Sequence, residues 1–155
     1  MKQLLLILLL FTCFKSLAQE EWQVEAGAID PSKYFGVTIA NGMVGIVSSP
    51  VPMRVKDVVL NGVYDYYQRG RVSNILKTFN HVNMNLDVDG RRIGLGDVTG
   101  YKQILDMRRA ELITTFDALG AVSVRHRMLS LRHLPFTALT IVEITARRDI
   151  TITPM

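Results

Sequence analysis

The sequence predicts an all-β fold, an antiparallel β-sandwich, from three observations. Val122, Val124, His126 and Met128 alternate with Ser123, Arg125 and Arg127, the period that sends successive strand side chains to opposite faces. Short runs of β-rich sequence, about ten in all, are separated by turn signals such as Asn41-Gly42, Asn61-Gly62, Asp89-Gly90 and Gly120. No helical apolar period is sustained after Gln19.

A chain of 155 residues suits one domain with a real core. We divide it into a signal peptide (1–18), a lead-in (19–33) and a sandwich (34–155) that stops incomplete at its C-terminal end. Lys2, the apolar stretch Leu4–Phe14 and the small residues of Ser16-Leu17-Ala18 have the order of an exported protein's signal. The apolar stretch is shorter than the ~20 residues a membrane-spanning helix needs. Cys13 raises a second reading, a lipoprotein. Phe11 and Thr12 are bulky for that processing and a good ordinary cleavage site follows, so we prefer a periplasmic or secreted product. Cleavage after Ala18 leaves no cysteine, so stability rests on packing alone.

The net charge is +4; losing Lys2 and Lys15 leaves 16 basic against 14 acidic residues, or +2. Arg91-Arg92, Arg108-Arg109 and Arg147-Arg148 lie among acidic residues without interleaved aromatics, which argues against a nucleic-acid partner.

Taken in order, Glu20–Lys33 offers only Trp22 and an Asp30-Pro31-Ser32 turn. Tyr34–Ala40 and Met43–Ser48 read as strands around the Asn41-Gly42 turn, with Gly45 marking a bulge or close backbone approach. Val55–Leu60 is a strand closed by Asn61-Gly62. Val63–Phe79 reads as an irregular loop anchored by Tyr64, Tyr66 and Tyr67, beside Arg69 and Arg71. That cluster also suits sugar stacking, although self-packing is the plainer reading. Val82–Val88 alternates, turns at Asp89-Gly90 and returns over Arg91–Leu95. Tyr101–Phe116 and Ala121–Leu131 flank the Gly120 turn, with a phase slip expected at Met128-Leu129. Ala138–Ala146 is apolar enough to lie centrally in a sheet. Ile150–Thr153 alternates as a last strand, with nothing after it to pair against.

The residues give no catalytic set. His81, His126 and His133 lack metal-ligand spacing and read as satisfied structural histidines. Ser48-Ser49 lacks the glycines of a nucleophile elbow, and Gly94-x-Gly96 is too short for a dinucleotide fingerprint. Asp97, Asp106 and Glu111 cannot be paired as acid and base from sequence. We therefore assign no catalytic, cofactor-binding or metal residues, expect no cofactor, and leave substrate-binding residues open.

Tyr101-Lys102-Gln103-Ile104-Leu105-Asp106-Met107-Arg108, followed by Glu111-Leu112, resembles the Y-x-x-x-L-D-M-R-x-G-x-L segment in the N-terminal domain of glycoside hydrolase family 65. Asn41-Gly42-Met43-Val44-Gly45 is similar to that domain's N-G-x-x-G turn. Leu86–Gly90 resembles the strand and tight turn that precede the L-D-M-R segment there, and Arg127–Leu131 its R-x-x-S strand, so the likeness runs in order from about Tyr34 to Met155. Ala110 stands where the family prefers glycine, and Val47-Ser48 replaces an arginine-glycine pair.

The resemblance implies a supersandwich of the galactose-mutarotase type in an α-glucoside hydrolase or phosphorylase, and the signal makes that enzyme an exported one. It implies that this domain is non-catalytic, shapes the active-site mouth and contributes to homodimer contacts, while an (α/α)6 barrel absent here carries the chemistry. Export favours hydrolysis, because phosphorolysis serves a cell that keeps the sugar phosphate inside. The alternatives are a stand-alone exported glycan-binding or adhesion sandwich, and a structural module whose edge docks another chain.

Overall fold

A computed structural model of the chain describes residues 22–34, 36–65 and 74–155. The signal segment, Cys13, Tyr66, Tyr67, Arg69 and Arg71 lie outside the described residues. The architecture is all-β and antiparallel, in open sheets rather than a barrel.

One five-stranded sheet runs in the order β1 (Gln23–Ala26), β8 (Val98–Asp106), β9 (Glu111–Ala118), β10 (Val122–Ser130) and β11 (Ala138–Ala146). Two smaller sheets accompany it. One is β2 (Thr38–Ala40), β3 (Val44–Ser48), β4 (Val55–Asp65) and β5 (Asn74–Lys77); the other places β6 (Leu86–Val88) between β12 (Ile152–Pro154) and β7 (Arg91–Arg92).

The long sheet has one buried and one wetter face, as its alternation dictates. Leu112 and Met128 join Ile39, Val44, Ile46, Val55 and Val58 of the four-stranded sheet in one core cluster. Phe116, Val122 and Val124 join Leu86 and Val88 of the three-stranded sheet in another. Burying a side chain of this size contributes about 1.5–3 kcal/mol. Gly45 lets β3 lie close against β4: a Cβ there would come 3.0 Å from the Val59 side chain, which would have to give by a few tenths of an ångström.

Several expectations are corrected. The lead-in contains β1, which pairs with β8 although its short Gln-Val-Glu-Ala run is barely apolar. Asn61-Gly62 does not close β4. The strand continues to Asp65, and the extra residues form an irregularity between the pairs Val59–Lys77 and Tyr64–Ile75. A turn dipeptide inside a strand can be absorbed as a bulge.

Tyr101–Phe116 is not one run. Met107–Ala110 forms a turn, because Asp106 accepts the Arg109 N–H (3.0 Å) and Ala110 takes φ 54°. The phase slip at Met128-Leu129 is absent. Register is continuous to Ser130, which turns inward and donates to the Ile39 carbonyl. Leu129 instead faces Leu139 on the outer side. The regular part of Val82–Val88 shortens to β6, because the Asn80 side chain accepts the Val82 and Asn83 N–H groups and the Asn83 side chain accepts that of Val55.

β11 is an edge strand, not a central one. It pairs with β10 over its full length, and none of its residues is fully buried. Apolar content cannot separate a central strand from an edge strand lying beside a covered neighbour. β12 does have a partner: it pairs with β6, and Met155 and Asn85 exchange backbone hydrogen bonds. The hairpin at Asp89-Gly90 forms as expected, with both residues at positive φ.

Candidate functional site

Register builds a polar row across the buried face of the long sheet. Gln103 of β8 stands opposite Thr114 of β9, and Thr114 stands opposite His126 of β10. Directly paired residues of neighbouring strands share a face. All three are buried, along the seam between the two core clusters.

The Gln103 amide donates to Thr114 Oγ1 (3.0 Å) and to the Ser49 carbonyl (3.1 Å). Its Oε1 accepts from the Tyr34 hydroxyl, which also contacts Ser48 Oγ. Ser48 in turn donates to the Val37 carbonyl (2.9 Å). This network stitches β8 and β9 to β3 and the segment before β2. Removing one member would leave buried partners unsatisfied, at about 1–3 kcal/mol each.

His126 differs from the expectation of a satisfied histidine. It is 1% exposed, and neither ring nitrogen has a hydrogen-bond partner. Burial holds its pKa down to about 4, so at neutral pH the ring is uncharged. Tyr101 also has a buried hydroxyl without a partner; burial and the neighbouring Tyr34 raise its pKa well above the usual phenol range. Burial likewise raises that of Tyr34 itself. Both phenols stay protonated, and Ser48 bonds no base that would activate it.

An open cleft of about 320 Å³ adjoins the row, with Glu25, Lys33, Tyr34, Gln103 and Leu105 among its lining residues. A second, of about 230 Å³, lies beside the other core cluster, with Arg54, Asn85, Arg92 and Phe116 in its wall.

The carboxylates singled out in the sequence hold local structure. Asp97 pairs with Arg91 and accepts the Gly94 N–H (2.9 Å), which also gives Gly94-x-Gly96 its role as the start of a 3-10 turn. Asp106 caps the Met107–Ala110 turn and accepts from Gln23; its pKa is lowered first by the Arg109 N–H. Glu111 approaches Arg127 (3.7 Å) on the outer face, where Glu143 bridges Arg125 and Arg127. Asp106 and Glu111 are register partners at the β8–β9 turn. As a turn cap and an ion-pair member, they do not form an acid–base pair across a cleft.

His81 is exposed and packs on Phe79 with ring centroids 5.5 Å apart, while His133 lies exposed in the β10–β11 loop. No cluster able to hold a metal ion occurs among the described residues. Sequence reasoning missed Tyr34, Gln103 and Thr114. The available signal was polar residues in the inward phase of otherwise apolar strands.

No family model matches the chain. It is 49% identical over 149 residues to a kojibiose hydrolase from Mucilaginibacter mallensis, covering 96% of this chain and 22% of the relative. It is 40% identical over 132 residues to a kojibiose hydrolase from Flavobacterium johnsoniae, covering 85% of this chain and 19% of the relative. The chain thus spans about one fifth of the length of the curated relatives it matches.

Proposed function

Because this chain belongs to glycoside hydrolase family 65, we propose that it is the N-terminal, non-catalytic β-sandwich of an exported enzyme hydrolysing α-glucosides, with kojibiose as the first candidate substrate. The observation that carries this reading is 49% identity across nearly the whole chain to one fifth of a kojibiose hydrolase. The site chemistry agrees with it. Asp97 and Asp106 are used as turn caps, and Tyr34, Ser48, Gln103 and Thr114 form a structural network of protonated hydroxyls and an amide. In this reading the acid and the activated water are supplied by the polypeptide that makes up the rest of such an enzyme, and the sandwich supports it.

The test grafts this chain in place of the matching segment of the Mucilaginibacter mallensis enzyme and assays kojibiose alongside the 155-residue chain alone. The graft should hydrolyse kojibiose, and the chain alone should give no glucose above background. Turnover by the chain alone, lost on Glu111→Gln, would refute the non-catalytic assignment. Export is checked on the same material. The mature N-terminus should be Gln19 or its neighbour, and an acylated Cys13 would make the product a lipoprotein instead.

A further inference from the structure

The loop joining β10 to β11 holds a bulky side chain in the left-handed region at an exposed tip. Its base is closed by Leu131 N–H to the Thr137 carbonyl (3.1 Å), and the Asn41 side chain donates to the Leu131 carbonyl (2.7 Å). At the tip, Thr137 N–H bonds the Leu134 carbonyl (3.2 Å) across Pro135 and Phe136. Proline fixes a negative φ at the second position of this turn, and Phe136 takes φ 59° at the third. That is a type II turn, whose third position calls for glycine or asparagine. Phe136 stands there 52% exposed, with Leu134 beside it 47% exposed. A bulky side chain in the left-handed region normally persists only where surrounding structure compensates it.

We propose that Leu134 and Phe136 form an apolar plug that seats in a pocket on the remaining polypeptide of the enzyme. This rests on the reading above, since the occupant is the part of the family's chain beyond the one fifth matched here. Length supports that occupant over a second copy: some four fifths of each relative lies outside the matched segment. The tip is also apolar over consecutive residues, which suits a protein pocket better than a sugar. Asn41 and the closed loop base hold the plug rigid, so little ordering entropy is lost on docking.

The experiment uses the grafted enzyme and reads the sign of a thermal shift. If the tip stood in water, Phe136→Gly would relieve the positive φ and raise Tm. If the tip is docked, the same change empties the pocket and lowers Tm by several degrees, and Leu134→Ser lowers it too. Hydroxyl-radical footprinting of the unmutated graft should find Phe136 protected. A raised Tm with an oxidised Phe136 would overturn the plug. So would lost kojibiose turnover at unchanged Tm, which would mean that the tip meets substrate. A graft that neither folds nor turns over kojibiose would reject the family-based reading, and the plug with it.

Discussion

At residue scale, Ala110 and His126 each sit where their chemistry is disfavoured. Ala110 holds φ 54° in the turn between β8 and β9. An L-residue there costs roughly 1–2 kcal/mol, part of which glycine gives back through its freer unfolded chain. Ala110→Gly should therefore stabilise by about 0.5–1 kcal/mol, read as a higher urea midpoint at unchanged m-value. A lower midpoint would show that the Cβ makes packing contacts worth more than the strain.

His126 gives a pH dependence whose sign follows from its lowered pKa. The unfolded chain takes a proton near pH 6.5, and the folded chain only near about 4. Its contribution is thus fully present above pH 6.5 and lost as pH falls towards 4, by up to about 3 kcal/mol. His126→Leu should flatten this part of the stability curve. An equally steep fall in the variant would place the dependence on other groups. Sequence showed that His126 faces inward; that its nitrogens lack partners depends on which strands and sheets surround it.

At the scale of elements, alternation predicted β10 well, because one covered face imposes a period of two whatever the partner. Strand order was not legible in this way. β11 looked central because Leu139, Ile141, Val142 and Ile144 are apolar, yet it is the sheet edge. It is nine residues long, regularly paired on one side, and free of lysine and of proline. Such an edge is a template for pairing with another chain. The 155-residue chain should therefore self-associate in sedimentation experiments at micromolar concentration. Ile141→Lys, which puts a charge on the outer face of the edge, should shift it towards monomer. A wild-type chain that stays monomeric would show that the edge protects itself.

At the scale of the molecule, one long sheet is covered by two short ones, and its core is two clusters separated by the row of Gln103, Thr114 and His126. The sequence by itself determined the all-β class, the inward face of β10, the Asp89-Gly90 hairpin and the family resemblance. These depend on neighbours in the chain: side-chain period, φ preference and local order of motifs. Only the tertiary structure decided that Asn61-Gly62 is absorbed inside β4, that β11 is an edge, and that Tyr34 reaches Gln103 across 69 positions. Each of these depends on which distant segments meet, and burial and hydrogen-bond satisfaction are properties of the meeting rather than of either segment.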